Sequence, residues 1–258
     1  MPPEAVTALA GIVASFLSGL LGIGGGLVLT PLLLYLPQLA GGVALPVKIV
    51  TGLTIVQAIS GTILGLWRHA SYGNVSRPLV LLMGPPSALS ALVGAFVSRD
   101  IPDRVLLLVF AILAFVGAVM LVLPVEPQDR PPSALEVNRA LAIVISTVLG
   151  FFGGMVGIGG IAFIIAALIY LLRVPARIAI GTSLGIGIFA AVAALIGKAA
   201  TAQIDPLLGA IVFGTALVAS PIGAAVSVRT QPRILLVVLS VVVVLAAVRI
   251  AFSAIVGA

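Results

Sequence analysis

The chain has no cysteine, one histidine and one tryptophan, and only 8% of its 258 residues are charged. The missing cysteines exclude disulfides, thiolate metal sites and thiol redox chemistry. A lone histidine without cysteine partners cannot build a zinc-type site, so no metal is expected. The seven acids, Glu4, Asp100, Asp103, Glu126, Asp129, Glu136 and Asp205, all lie between or beside apolar runs. They offer no general acid–base or nucleophile constellation, so neither an enzyme nor a bound cofactor is expected. No Asp, Glu or His is expected inside a span, which argues against a side-chain proton relay. A coupling ion would then be Na+ held by backbone carbonyls or H+ carried on the substrate, with facilitated diffusion as the alternative.

Hydrophobic residues make up 62% of the chain, and the mean hydropathy is +1.37. A soluble domain carries about 25% charged residues. Uncharged stretches run over 5–47, 49–67, 78–98, 105–123, 140–172, 178–197, 206–228 and 234–248. A bilayer crossing needs ~20 apolar residues, so these stretches predict a polytopic helical membrane protein. A β-barrel would show short alternating strands and polar turns, which are absent. The first stretch lacks a basic segment before it and is expected to be a retained span. The net charge of +6 would suggest nucleic acid in a soluble protein. Here the 13 basic residues are expected at span ends, where they set topology and meet lipid headgroups; no nucleic-acid partner is expected.

Residues 19–36 read GLLGIGGGLVLTPLLLYL and residues 154–171 read GMVGIGGIAFIIAALIYL. Further matches follow. Pro46-Val-Lys48-Ile-Val-Thr-Gly52 answers Pro175-Ala-Arg177-Ile-Ala-Ile-Gly181, Gly94-Ala95 answers Gly223-Ala224, and Arg104 answers Arg233. The chain therefore divides into a first transmembrane repeat, 1–123, a proline-rich linker, 124–139, and a second repeat, 140–258. Each repeat opens with a glycine-broken segment of about 30 residues, which as one helix would reach ~45 Å, too long for a single span. The expected fold is all-α: two inverted repeats, each a glycine-broken helix pair or re-entrant hairpin plus three transmembrane helices. A pair returns the chain to the side it left, so each half crosses an odd number of times and tandem halves are inverted. The Arg-rich side, with the linker, is then expected in the cytoplasm and both termini outside.

Broken helices inside a bilayer are tolerated where the freed backbone is buried in protein or lines a cavity. At matching positions in two repeats they point to the binding site of a transporter. A helix starting at such a break presents unpaired N–H groups and the positive end of its dipole. Glycine lets the backbone come close to a ligand. Gly24, Gly25 and Gly26, with Gly159 and Gly160, are accordingly expected to cradle an anion. The competing explanation is close helix packing, since Gly22 and Gly26, and Gly153 and Gly157, are spaced as small-xxx-small pairs. Gly157-Ile-Gly159-Gly160-Ile-Ala162 also satisfies a dinucleotide fingerprint. It lacks the strand–helix context and the ribose-binding acid.

Thr51, Thr54 and Gln57 advance by three residues and share a helix face; Thr182 and Ser183 answer them in the second half. Their hydroxyls and amide can donate to anion oxygens. The alternative is bonding to their own helix or to a neighbouring one. Thr54 and Ser183 are expected on opposite sides of one anion. Lys48 and Arg177, at equivalent span ends, are expected to draw anions to each entrance, unless they reach for headgroups.

The pattern Gly22-Ile-Gly24-Gly25-Gly26 with Thr30-Pro31, Gly157-Ile-Gly159-Gly160, Ala179-Ile-Gly181-Thr182-Ser183-Leu184 and its counterpart Thr51-Gly52-Leu53-Thr54, and the turn Tyr72-Gly73-Asn74-Val75 resemble the TauE/SafE family of anion permeases, also called the sulfite exporter or TSUP family. Ile161 stands where the family's third glycine is usual, and Ala166 stands opposite Pro31. The resemblance implies a multi-pass permease of the prokaryotic inner membrane, working by alternating access. Its substrate would be a small anion such as sulfite, a sulfonate, thiosulfate or another organic anion, and membrane lipids would surround it. A channel using the breaks as a filter and a non-transporting scaffold subunit are the rivals.

Overall fold

The computed structural model describes residues 2–21, 26–122, 137–158, 161–227, 248 and 250. Among these the regular structure is helical, with no strand. The helices are α1 (Pro3–Leu21), α2 (Gly26–Leu39), α3 (Val47–Ser71), α4 (Arg77–Val97), α5 (Asp103–Val122), α6 (Arg139–Val156), α7 (Ile161–Tyr170), α8 (Ala176–Ala200) and α9 (Pro206–Ser227). Six of them (α1, α3, α4, α6, α8 and α9) contain runs long and apolar enough to cross a membrane. A helix satisfies its own backbone polar groups, which a lipid environment demands. Punctuation is local. Pro46 and Pro175, in extended conformation, precede α3 and α8. The Asn138 side chain accepts from Leu141 N–H at 3.1 Å at the start of α6, and Asp205 accepts from Leu208 N–H at 2.9 Å at the start of α9.

The two breaks do not divide their segments evenly. The arms before them, α1 with 19 residues and α6 with 18, reach a bilayer's width. The arms after them, α2 with 14 and α7 with 10, span only ~21 and ~15 Å against a ~30 Å hydrocarbon core. In each half the glycines therefore follow the longer arm and precede the shorter one.

Contacts across helices fix their directions. Along α4 and α8, Ser76 N–H donates to Thr182 Oγ1 at 3.0 Å, Gly185 meets Val80, Gly84 meets Phe189, and Gly197 meets Ala95. Both numbers rise together, so the helices are parallel. The same holds for α4 and α6, where Gly150 meets Ser87 and Gly154 meets Ala91, and for α1 and α9, where Gly11 meets Thr215 and Gly19 meets Ser220. It holds too for α3 and α9, where Gly52 meets Ile204 and Gly209 meets Val56. By contrast, Gly52 faces Gln203, Gly65 faces Leu184 and Gly181 faces Asn74, so α3 and α8 are antiparallel. Thus α1, α3 and α9 run one way and α4, α6 and α8 the other. Because α1 and α3 agree in direction, the segment holding α2 returns the chain between them.

The contacts recur in matched form. A Cβ on Gly52 would lie 2.0 Å from the Gln203 carbonyl oxygen, and one on Gly181 would lie 2.1 Å from that of Asn74. Gly19 is apposed to the Ser220 carbonyl as Gly154 is to that of Ala91, and Gly223 to the Phe16 carbonyl as Gly94 is to that of Phe151. Small residues let these backbones touch, which is how helices associate where lipid removes the hydrophobic drive. Between them sits an apolar core including Leu29, Leu33, Leu53, Phe110, Val156 and Ile158.

Candidate functional site

α6 ends at Gly157, which takes the left-handed conformation with φ 78° and returns its N–H to the Gly153 carbonyl. Ile158 N–H bonds the same carbonyl at 3.1 Å. The end of α6 is pressed against the start of α3. A Cβ on Gly157 would lie 1.9 Å from the Thr51 carbonyl oxygen and 2.6 Å from Thr54 Oγ1. Only glycine suits this position, both for its φ and for the space. On the other side a Cβ on Gly26, the first residue of α2, would lie 3.2 Å from Ile158 Cα. The break of the first half therefore meets the break of the second, beside the first turns of α3. Gly24, Gly25, Gly159 and Gly160 lie outside the described residues.

The polar side chains have definite partners. Thr51 donates to the Lys48 carbonyl at 2.8 Å, Thr54 to that of Thr51 at 2.9 Å, and Ser183 to that of Ile180 at 2.8 Å. All three are buried. Their hydrogens are committed to their own helices, so donation to a ligand requires them to swing away. Thr182 accepts from Ser76 N–H, joining α8 to α4. Gln57 donates to Ser15 Oγ at 3.0 Å, a bond that ties α3 to α1.

Two expectations are corrected. Thr54 and Ser183 do not flank one small anion. The antiparallel pairing of α3 and α8 puts Thr54 near the level of Lys198, about 18 Å from Ser183 along the axis at 1.5 Å per residue. Residues equivalent in the two halves occupy opposite ends of an antiparallel pair, which spacing along the sequence does not reveal. Lys198, in turn, is not a headgroup residue. It is fully buried, and the three hydrogens of its Nζ are shared among four oxygens: Thr51 Oγ1 at 2.9 Å, Ser98 Oγ at 2.8 Å, the Met155 carbonyl at 2.9 Å and Gln203 Oε1 at 2.8 Å. A buried charge is tolerated only when well supplied with hydrogen bonds, and four oxygens from α3, α4, α6 and the α8–α9 turn supply them. The sequence signal was Lys198 lying next to the small-residue run that lets α8 pack tightly. Its proximity to a span end masked it.

Of the two entrance charges, Lys48 is half-buried and donates to the Arg99 carbonyl, while Arg177 is exposed. They stand at the starts of the antiparallel helices α3 and α8, at opposite ends of the bundle. Among the described residues no group of three His, Cys, Asp or Glu could hold a metal. A cavity of about 580 Å³ lies between α4 and α6, lined by Leu89, Val93, Val148 and Phe151 among others. Three of these side chains are exposed apolar surface.

Bundled spans, two glycine breaks whose flanking residues are in contact, and apolar outer faces define a multi-pass α-helical membrane protein organised around its broken helices. A family model, "Sulfite exporter TauE/SafE", matches residues 7–250, and the chain belongs to that family. Its relatives include the probable membrane transporter protein YunE of Bacillus subtilis, 24% identical and covering 91% of this chain and 92% of the relative. A probable membrane transporter protein of Xylella fastidiosa is 33% identical over 74% of this chain and 72% of its own. YjnA of B. subtilis, also a probable membrane transporter protein, is 30% identical over 87% and 91%. No solved structure matches the chain.

Proposed function

We propose that the protein is a secondary permease of the prokaryotic cytoplasmic membrane, moving a small sulfur-containing or organic anion, such as sulfite or a sulfonate, by alternating access. It is built as two inverted repeats. The antiparallel course of the equivalent helices α3 and α8 and the three matched pairs of glycine contacts support that symmetry. The substrate sits where the breaks meet. Backbone N–H groups around Gly24, Gly25 and Gly26, and around Gly159 and Gly160, face it from the starts of α2 and α7. Thr51 and Thr54 flank the path toward one face of the membrane, Thr182 and Ser183 toward the other. The observation that carries the proposal is the contact of Gly26 with Ile158 beside Gly157, Thr51 and Thr54.

The experiment is a screen of ligand-induced thermal stabilisation of the purified protein with sulfite, sulfoacetate, thiosulfate, taurine and sulfate. It is followed by counterflow of the labelled hit in proteoliposomes. Stabilisation by at least one anion and saturable counterflow are expected. A conductance without counterflow would mean a channel. No response to any anion would end the anion-permease proposal.

A further inference from the structure

Lys198 has no assigned role in the transport cycle proposed above, although it touches the second break directly. Its Met155 partner carries one of the last carbonyls of α6. Such carbonyls have no intrahelical partner, and together they form the negative end of the helix dipole, equivalent to about half a charge. A break that presents helix N-termini to an anion also brings a helix C-terminus to the same place, where it repels that anion.

The cage shows how this is met. Thr51 and Ser98 give their hydroxyl hydrogens to the Lys48 and Ala95 carbonyls at 2.8 and 2.7 Å, so both turn lone pairs toward Nζ. Met155 O and Gln203 Oε1 can only accept. Gln203 is itself held, its amide nitrogen donating to the Ala95 carbonyl at 3.1 Å and to Thr201 Oγ1 at 2.7 Å. All four partners are acceptors and none is a carboxylate, an arrangement that suits an ammonium and leaves its charge unneutralised by any anion in contact with it. In the first half, His69 stands at the equivalent position.

We propose that Lys198 is a positioning residue that sets the charge preference of the anion site. Its ammonium, held by acceptors alone, caps the C-terminal end of α6 and overcompensates that dipole, so the break favours doubly over singly charged anions. The proposal rests on the anion site inferred above. Lys198 acts through α6 and Thr51 without touching the substrate. At ~10 Å and an effective dielectric near 20, one fixed charge changes affinity on the order of tenfold per unit of ligand charge.

The test uses the purified full chain and two matched ligand pairs at one pH: sulfate with methanesulfonate, and sulfoacetate with isethionate. In each pair shape is nearly constant and charge falls from −2 to −1. Lys198→Gln removes the charge. Lys198→Met, which keeps the packing of the stem without a polar head, takes its place if the Gln variant does not fold. Removal of the charge is expected to lower the preference for the dianion about tenfold, whereas Lys198→Arg keeps that preference even if its melting temperature drops. A lysine that merely staples helices would weaken both members of a pair by the same factor. An unchanged ratio in the Gln or Met variant therefore overturns the proposal while the anion site stands. A wild type that responds to no member of either pair overturns the anion site itself.

Discussion

Gly157→Ala tests the junction on which the site is built. Two separable costs apply. An alanine at φ +78° occupies a region that costs a residue with a Cβ about 1–2 kcal/mol. Its methyl would also meet the Thr51 carbonyl oxygen at 1.9 Å and Thr54 Oγ1 at 2.6 Å. The first of these is backbone and cannot rotate away, so overpacking adds about 1–3 kcal/mol. Gly41 isolates the first term, because it has φ +73° and an added methyl there would find nothing within 4 Å. Gly41→Ala should therefore cost about 1–2 kcal/mol, and Gly157→Ala about 2–5 kcal/mol. At roughly 2–4 °C per kcal/mol for a chain of this size, the melting temperature falls by ~2–8 °C in the first variant and ~4–20 °C in the second. Thermal unfolding of both proteins in one detergent provides the comparison. Equal shifts would refute the reasoning, since the end of α6 would then have room against α3.

Gly52→Ala and Gly181→Ala place methyl groups 2.0 and 2.1 Å from the Gln203 and Asn74 carbonyl oxygens, and their melting temperatures should fall by similar amounts if the two turns are equivalent clasps. Gln57→Leu removes the bond to Ser15 and should cost about 1 kcal/mol, read as a lower melting temperature, with anion-induced stabilisation retained. For topology, Val43 (87% exposed) and Tyr72 (69% exposed) lie in loops at opposite ends of α3. In the cysteine-free background, Val43→Cys should react with an impermeant thiol reagent on intact cells and Tyr72→Cys should not; the reverse pattern would invert the assignment.

Helix boundaries and the return of the chain between α1 and α3 were legible because hydropathy and proline act locally. Pro46 and Pro175 mark the starts of α3 and α8 as the sequence match predicts, and Gly157 ends α6 where the motif begins. The partner of each side chain was not legible in the same way. Gln57 advances by three from Thr51 and Thr54, yet its amide reaches Ser15 of α1 while Thr51 accepts from Lys198 of α8. Thr54 and Ser183 are equivalent in sequence, but antiparallel pairing carries them apart. Lys198 was misplaced because a sequence gives its distance from a span end and not the depth of the pocket that α3, α4 and α6 form around it.

The glycine contacts also bear on how the molecule is made. The close partner of α1 is α9, and that of α6 is α4, so each half completes its packing only with helices of the other. At 5–20 residues per second, α1 leaves the ribosome on the order of 10–40 s before α9 exists. During that interval its glycine-lined face must rest against lipid. Lipid penalises this little, because the backbone is already internally bonded and no water-driven force seeks to cover the surface. Insertion and assembly are thereby separated in time, and the fold locks only when the last helices arrive to close over the first.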